Sequence, residues 1–260
     1  MEISKNDLAH LRYAKSLLEN PGIAAKITNL LGKSIEKGFE LLPENSYDSI
    51  LKITRESLQK ALNFTVKTMD DRLKYPASDL AHKIMAAATG AGGGAFGLSA
   101  LTIELPISTI IILRSIADIA RSEGEQIKSI ESRLACLEVF ALGGRSHGDD
   151  GVDTGYFFVR ASLAKAISDA AEYIVRKGLG QKSAPVIVKF ISAVASRFGV
   201  VVTEKIAAQA IPLIGAAGGA LVNTIFIDHF QNMARGHFIV RRLERFYGQG
   251  PVKAAYDTLG

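Results

Sequence analysis

The chain has 260 residues, of which 48% are hydrophobic, 22% charged and 7% aromatic, and its formal net charge is +5. This apolar content excludes a disordered chain, and a single cysteine excludes an internal disulfide. The net charge is too small for this length to indicate a nucleic-acid partner, and we expect none.

The first 75 residues show the periodicity of amphipathic helices. Apolar residues recur at intervals of three and four along 23–39 and again along 50–62. Charges are spread evenly over residues 1–20, so this segment lacks the apolar core of a signal peptide, and we expect a cytoplasmic protein. The pattern predicts that residues 1–75 form helices packing on a core built by 76–260, the two parts making one cooperative domain.

Two uncharged runs, 84–103 and 206–227, follow further along the chain. Each is about as long as a membrane-spanning helix, which needs roughly 20 apolar residues. Their abundant glycine and alanine favour a buried hairpin in a soluble helical protein instead. A constitutive span, and a hairpin sheltered until it meets a bilayer, remain alternatives. The glycines predicted to allow close helix crossings are Gly90, Gly92, Gly93, Gly94, Gly97, Gly215, Gly218 and Gly219.

Ordinary amphipathic helices are predicted between these two runs. They span 129–142, 154–177 and 185–197. Ser129 and Thr154 are the predicted N-caps, and Gly124, Gly143 and Gly178 are predicted to end helices. Short β-branched stretches at 185–188 and 200–203 leave a strand as the alternative there. The resulting fold class is all-α, a compact helical domain in which two Gly/Ala-rich central segments are wrapped by amphipathic helices.

Several segments resemble the EcsC protein family. They are ATGAGGGAFG at 88–97, ELP at 104–106, LRSIADIA at 113–120, RLACLEVFALG at 133–143 and IGAAGGA at 214–220. The resemblance covers roughly residues 50–247 and implies a helical fold. It also implies a bacterial origin, in a family named after a protein encoded beside an ABC transporter. That family has no established activity, so the resemblance implies no catalytic residues.

Two polar stripes lie on otherwise apolar helices, and they predict either a structural ion-pair network or a shared polar cavity. The residues of this predicted polar cluster are Arg114, Asp118, Arg121, Asp228 and Asn232. The hypothesis of an enzyme, a hydrolase acting on a lipid or amide, places Glu104, Asp118, Asp228 and His229 around one cavity as catalytic groups.

Other chemistry is poorly supported by the sequence. The glycines at 92–97 match a dinucleotide fingerprint formally, but no β-strand precedes them. The five histidines form no recognised ligand motif, so we expect no metal and no cofactor.

The leading hypothesis for function is a non-enzymatic, peripheral membrane or lipid-binding accessory factor, cytoplasmic and peripheral on the inner membrane. Its expected partner is an anionic membrane surface or lipid, with a membrane protein as a further candidate. The expected anion contacts lie on the basic C-terminal helix and are Arg235, Arg241, Arg242 and Arg245. The uncharged runs would supply acyl or partner contact.

Overall fold

The structure is a computed structural model that describes residues 2–19, 22, 25–26, 28–29, 35–68, 97–143, 155–178, 184–211 and 215–259. Within these residues it contains nine α-helices and no strand, which confirms the all-α prediction. The helices are α1 (Lys5–Leu18), α2 (Glu36–Glu40), α3 (Ser46–Thr68), α4 (Gly97–Ser122), α5 (Ile130–Leu142), α6 (Tyr156–Lys177), α7 (Pro185–Ala210), α8 (Gly215–Tyr247) and α9 (Gln249–Thr258).

Helix α5 occupies the centre of the molecule, and the prediction of an ordinary amphipathic helix there is wrong. All ten residues from Ser132 to Ala141 are buried, because α3, α4, α6, α7 and α8 all pack around this helix. Only the ends of this 13-residue helix reach the surface, where Glu131 is exposed. A polar residue on α5 therefore lies in the core or in the wall of a cavity, and it needs a partner there.

Helix α7 is the second core helix. It spans both stretches for which a strand was the alternative, so that alternative is wrong. Among the described residues it is the one helix long and apolar enough to cross a membrane, with a mean hydropathy of 1.8. However, 56% of that apolar window is buried, against α2, α3, α5, α6 and α8. The packing accounts for the apolar composition of α7 without a bilayer.

The second uncharged run, 206–227, does not form one continuous helix. Helix α7 ends at Ala210, Ile211 is extended, and α8 begins at Gly215. The run is therefore divided between the end of α7 and the beginning of α8. Most of the first run, 84–96, lies outside the described residues.

Helices α4 and α8 lie side by side and parallel. The amide of Gln231 in α8 donates to the Ser115 hydroxyl in α4 at 2.9 Å. Further along, Arg241 of α8 binds Glu125, which lies just after the end of α4. In each pair the two partners are 116 positions apart in the sequence, so the two helices run in the same direction. Helix α1 then packs on the outer side of α8.

Helix ends follow the predicted signals in part. The Ser129 hydroxyl caps α5 by accepting from the Ser132 backbone N–H, and Gly124 and Gly178 have positive φ. Gly143 is different, with a φ of −83°, so no left-handed conformation requires glycine there. Thr154 lies outside the described residues, and Gly155 holds the N-cap position of α6.

Candidate functional site

A groove of about 890 Å³ lies between α5, α6, α8 and α9. Its walls combine the small or apolar side chains of one face of α6 with charged groups from all four helices. The charged groups are Glu131, Glu138, Arg160, Glu172, Arg176, Arg241, Glu244 and Lys253. It is therefore a cavity with an apolar length and charged ends, the general form of a ligand site.

Glu138 is the buried acid of this groove. The side chain is only 5% exposed, because α5 carries it at the centre of the bundle. Burial raises the pKa of the Glu138 carboxyl to about 7, although the charges of Arg160 and Arg241 lower it in part. A carboxyl group that exchanges its proton near neutral pH can act as an acid, a base or a charge-dependent binding group.

His237 and Tyr156 stand behind Glu138. The Nδ1 atom of His237 lies 3.0 Å from the Tyr156 hydroxyl, and its Nε2 atom lies 3.7 Å from Oε2 of Glu138. Burial, followed by the charges of Arg160 and Arg241, lowers the pKa of His237 well below its ordinary value, so the imidazole is neutral.

The tautomer of the neutral His237 imidazole decides whether its Nε2 atom presents a hydrogen or a lone pair to Glu138. If the Tyr156 hydroxyl donates to Nδ1, then Nε2 carries the hydrogen and faces an ionised Glu138. If Nδ1–H donates to Tyr156, then Nε2 accepts from a protonated Glu138. At 3.7 Å neither hydrogen bond is formed, and Nε2 has no partner within the described part of the chain.

The two guanidinium groups nearest to Glu138 are bound to other carboxylates. Arg160 contacts both oxygens of Glu244, at 2.8 and 2.9 Å. Arg241 contacts both oxygens of Glu125, at 2.8 and 3.2 Å. Bidentate pairs of this kind hold the guanidinium in one orientation. Glu138 consequently lies among charges without forming a salt bridge to a described lysine or arginine.

Two of the predicted catalytic residues lie in separate ion pairs. Glu104 binds Lys205 of α7, with 2.5 Å between Oε1 and Nζ. Asp118 binds Arg121 on its own helix, at 2.7 Å, with both side chains more than half exposed. Neither acid lines the groove.

The other two predicted catalytic residues are neighbours on α8 with different surroundings. Asp228 is exposed, whereas His229 is buried and its Nε2 atom lies 3.0 Å from the carbonyl oxygen of Gly143. Burial and the charge of Lys26 lower the pKa of His229 to about 4. The neutral ring therefore donates from Nε2 to that carbonyl. A Cβ at Gly143 would collide with the imidazole, which explains the glycine better than helix termination does.

The remaining members of the predicted polar cluster contact other residues and not one another. Arg114 lies over the ring of Phe64, 4.8 Å from its centroid. Asn232 accepts from Arg235 on the same helix at 3.0 Å. None of the cluster residues lines the groove. Within the described residues no group of three or more His, Cys, Asp or Glu side chains could hold a metal ion.

Three of the four predicted anion-binding arginines are engaged in ion pairs. Arg241 and Arg245 bind Glu125, and Arg242 binds Glu123, its Nε lying 2.7 Å from the carboxylate. These acids belong to the connection between α4 and α5. The basic face of α8 is therefore matched to acids of this same chain.

Close helix approaches occur at glycines that sequence reasoning did not select. A Cβ at Gly38 would collide with the backbone of Ala207, and a Cβ at Gly236 would lie 2.6 Å from Leu18. The predicted glycines at 90–94 lie outside the described residues. Of the other four, Gly97 begins α4, and Gly215, Gly218 and Gly219 are among the first five residues of α8.

Sequence reasoning did not select the Glu138, His237 and Tyr156 arrangement as a site. One signal was present, since Glu138 is the only charged residue between Leu134 and Leu142. A lone acid in an apolar helix indicates a buried carboxyl. Nothing in the sequence pairs it with His237, which lies 99 positions later.

Fold and site together define an all-α protein with a buried carboxyl–imidazole pair at one end of a groove. The chain matches the EcsC protein family over residues 17–243, and it belongs to that family. No curated protein and no solved structure shows a significant match.

Proposed function

We propose that this EcsC-family protein is a non-enzymatic accessory factor that binds lipid and associates peripherally with the inner membrane from the cytoplasm. The observation that carries the proposal is a group of exposed, large apolar side chains at one end of the helix bundle. We call this group the apolar end, and its residues are Phe39, Leu41, Ile103, Ile107 and Leu221.

Three contacts bring these residues to the same end of the molecule. Helix α2 approaches the last turn of α7, where Gly38 meets Ala207. The ion pair of Glu104 with Lys205 joins that part of α7 to the beginning of α4. The amide of Gln209 donates to Asn223, which joins it to the beginning of α8. The exposed side chains of α2, α4 and α8 therefore lie around the C-terminal end of α7.

The energetics fit a reversible contact with a bilayer. Ile103 is 69% exposed, and fully burying an isoleucine contributes about 1.5–3 kcal/mol. Several such side chains together support peripheral binding without a spanning helix. The uncharged run at 84–103 leads directly into this end of α4, and the charge that follows it, Glu104, is paired with Lys205.

The basic residues of α8 lie at the opposite end. Leu221 and Phe246 are about 38 Å apart along a helix that rises 1.5 Å per residue. Arg241, Arg242 and Arg245 lie at the distal end with their acidic partners. Binding through the apolar end predicts resistance to salt, whereas binding through the arginines predicts sensitivity to salt and a need for anionic lipid.

Co-sedimentation with vesicles tests the proposal. Neutral and anionic vesicles are each mixed with the full-length protein at low and at high salt. We expect the wild type to pellet with both vesicles at both salt concentrations. The double variant Ile103→Asp, Ile107→Asp should lose more than about tenfold in binding, because apolar burial is replaced by two charges.

Phe246→Asp is the matched control, since Phe246 is 65% exposed at the other end of α8. It should pellet as the wild type does. No pelleting of the wild type, or equal loss in the control, contradicts the proposal. Binding only to anionic vesicles at low salt would indicate that the arginines of α8, and not the apolar end, contact the membrane.

The second candidate is a hydrolase acting on a lipid or amide substrate with a buried carboxylate and histidine. The pKa of about 7 for Glu138, raised by burial within a groove, is the observation that favours it. Turnover of ester and amide substrates that is lost in Glu138→Gln and kept in Glu172→Gln would support this candidate. Equal turnover in both variants would exclude Glu138 as its acid or base.

A further inference from the structure

We infer that the groove between α5, α6, α8 and α9 binds a primary amine carrying an apolar chain, with its ammonium group on Glu138 and its chain along α6. This site lies away from the apolar end, and the inference does not depend on membrane association.

No hydrogen bond joins the carboxyl group of Glu138 to another residue in the described part of the chain. This carboxyl group lines the groove and is almost completely buried. The Nε2 atom of His237 is 3.7 Å from Oε2 of Glu138 and itself lacks a hydrogen bond within the described part of the chain. Buried carboxyl groups are normally hydrogen-bonded or paired, so a ligand in the groove that donates to Glu138 would be favoured.

The charges that line the groove favour a cationic ligand. Each lysine or arginine lining the groove is already paired with a carboxylate. The pairs are Arg160 with Glu244, Arg176 with Glu172, Arg241 with Glu125, and Lys253 with Asp257. An anionic ligand would compete with these carboxylates for the same cations. A cation meets the free carboxyl of Glu138 directly, and an ammonium group offers three N–H donors to it.

The apolar wall of the groove has the length and surface that suit an alkyl chain. The wall formed by α6 repeats small or apolar residues every three or four positions, so they share one face of the helix. These residues are Ala161, Ala164, Ile167, Ala171 and Val175. The stretch from Ala161 to Val175 is about 21 Å long at 1.5 Å per residue. This wall offers an unbranched alkyl chain a continuous apolar surface beside the charged end.

Titration calorimetry with octylammonium, without vesicles, tests the inference on the full chain. We expect binding at pH 8, where Glu138 is ionised, and binding at least tenfold weaker in Glu138→Gln. Glu172→Gln is the matched control, because Glu172 lines the same groove but is exposed and paired with Arg176. It should bind as the wild type does.

Two further arms test the charge of the ligand and the place of its chain. Octanoate has the same chain length and the opposite charge, and it should bind more weakly than octylammonium. Ala164→Trp fills the apolar part of the groove at an exposed position, so it should weaken octylammonium binding while Glu138 is intact.

Equal affinity of the wild type and Glu138→Gln, tighter binding of octanoate, or no binding of octylammonium would each overturn the inference. Circular dichroism of Glu138→Gln establishes that the variant is folded. Loss of this binding leaves vesicle association untouched, so the two proposals fail separately.

Discussion

The carboxyl of Glu138 and the imidazole of His237 have opposite effects on stability as pH changes. The pKa of Glu138 is about 7 in the folded protein against an ordinary value of 4.5. Between these values the folded state holds a proton that the unfolded chain has lost, so this contribution to stability falls as pH rises. The lowered pKa of His237 has the reverse sign, because the unfolded chain binds more protons up to about pH 6.5.

Glu138→Gln removes only the first of these effects. We predict that the variant and the wild type are similarly stable at pH 5, where most of Glu138 is protonated. At pH 8 the variant should be the more stable protein, because an uncompensated buried charge is gone. Urea denaturation at the two pH values measures the free energies of unfolding. A difference that stays constant with pH, or that favours the wild type at pH 8, would contradict the assignment.

Single residues were predictable from the sequence only where the physical cause is local. Ser129 caps α5 through the backbone three residues later, and Gly124 and Gly178 follow helix ends with the positive φ that glycine accommodates. Gly143 is glycine because His229 lies against it, from a helix far along the chain. The pairing of Glu138 with His237 depends in the same way on how helices are placed.

At the scale of helices, the crossing of α1 on α8 depends on Gly236. A Cβ there would lie 2.6 Å from Leu18 and 3.0 Å from the carbonyl oxygen of Ala14. The two helices are also joined by the Tyr247 hydroxyl, which donates to Asp7 at 2.7 Å. Helix α1 is therefore held by a close backbone approach and by a polar contact near its first turn.

Gly236→Leu should detach α1 while the rest of the bundle remains folded. We expect a loss of about 1–3 kcal/mol in unfolding free energy, which is typical of overpacking. Hydrogen exchange over residues 5–18 should rise to that of an open helix, with the exchange of α5 and α7 unchanged. Gly250→Ala is the control, since nothing lies within 4 Å of that position. Unchanged protection of α1 would show that the crossing tolerates a side chain.

Helix positions were largely predictable from periodicity, whereas helix environments were not. The pattern of α5 reads as amphipathic, because Arg133 and Glu138 interrupt the apolar residues. Both are buried, and the Arg133 Nε atom donates to the Ile127 carbonyl at 2.8 Å. A buried polar residue that is satisfied by backbone looks in sequence like a solvated one.

Across the whole molecule, large apolar side chains are exposed at one end, and a network of arginines and glutamates holds the other. Glu125 is buried and accepts from Arg241, Arg245 and Ser132. Burial raises the pKa of Glu125, but these partners lower it by more, so it stays ionised. The arginines of α8 thus fix the connection between α4 and α5.

Arg241→Gln should lower stability and leave vesicle binding unchanged. Removing one partner of a buried pair costs about 3–5 kcal/mol, and we expect the lower end because Arg245 remains on Glu125. Arg121→Gln breaks an exposed pair and should cost less than about 1 kcal/mol. Thermal unfolding and vesicle pelleting of both variants measure the two effects. Unchanged stability with lost pelleting would assign Arg241 to lipid contact.

The proposed membrane association requires the apolar end to enter the bilayer. The chain suits a direct measurement, because its one cysteine, Cys136, is buried and burial raises the pKa of its thiol, so it resists labelling. A polarity-sensitive fluorophore is attached to Ile103→Cys in one sample and to Phe246→Cys in another, and vesicles are added. We predict a blue shift at position 103 and none at position 246. No shift at position 103, or a shift at position 246 alone, would contradict entry of the apolar end into the bilayer.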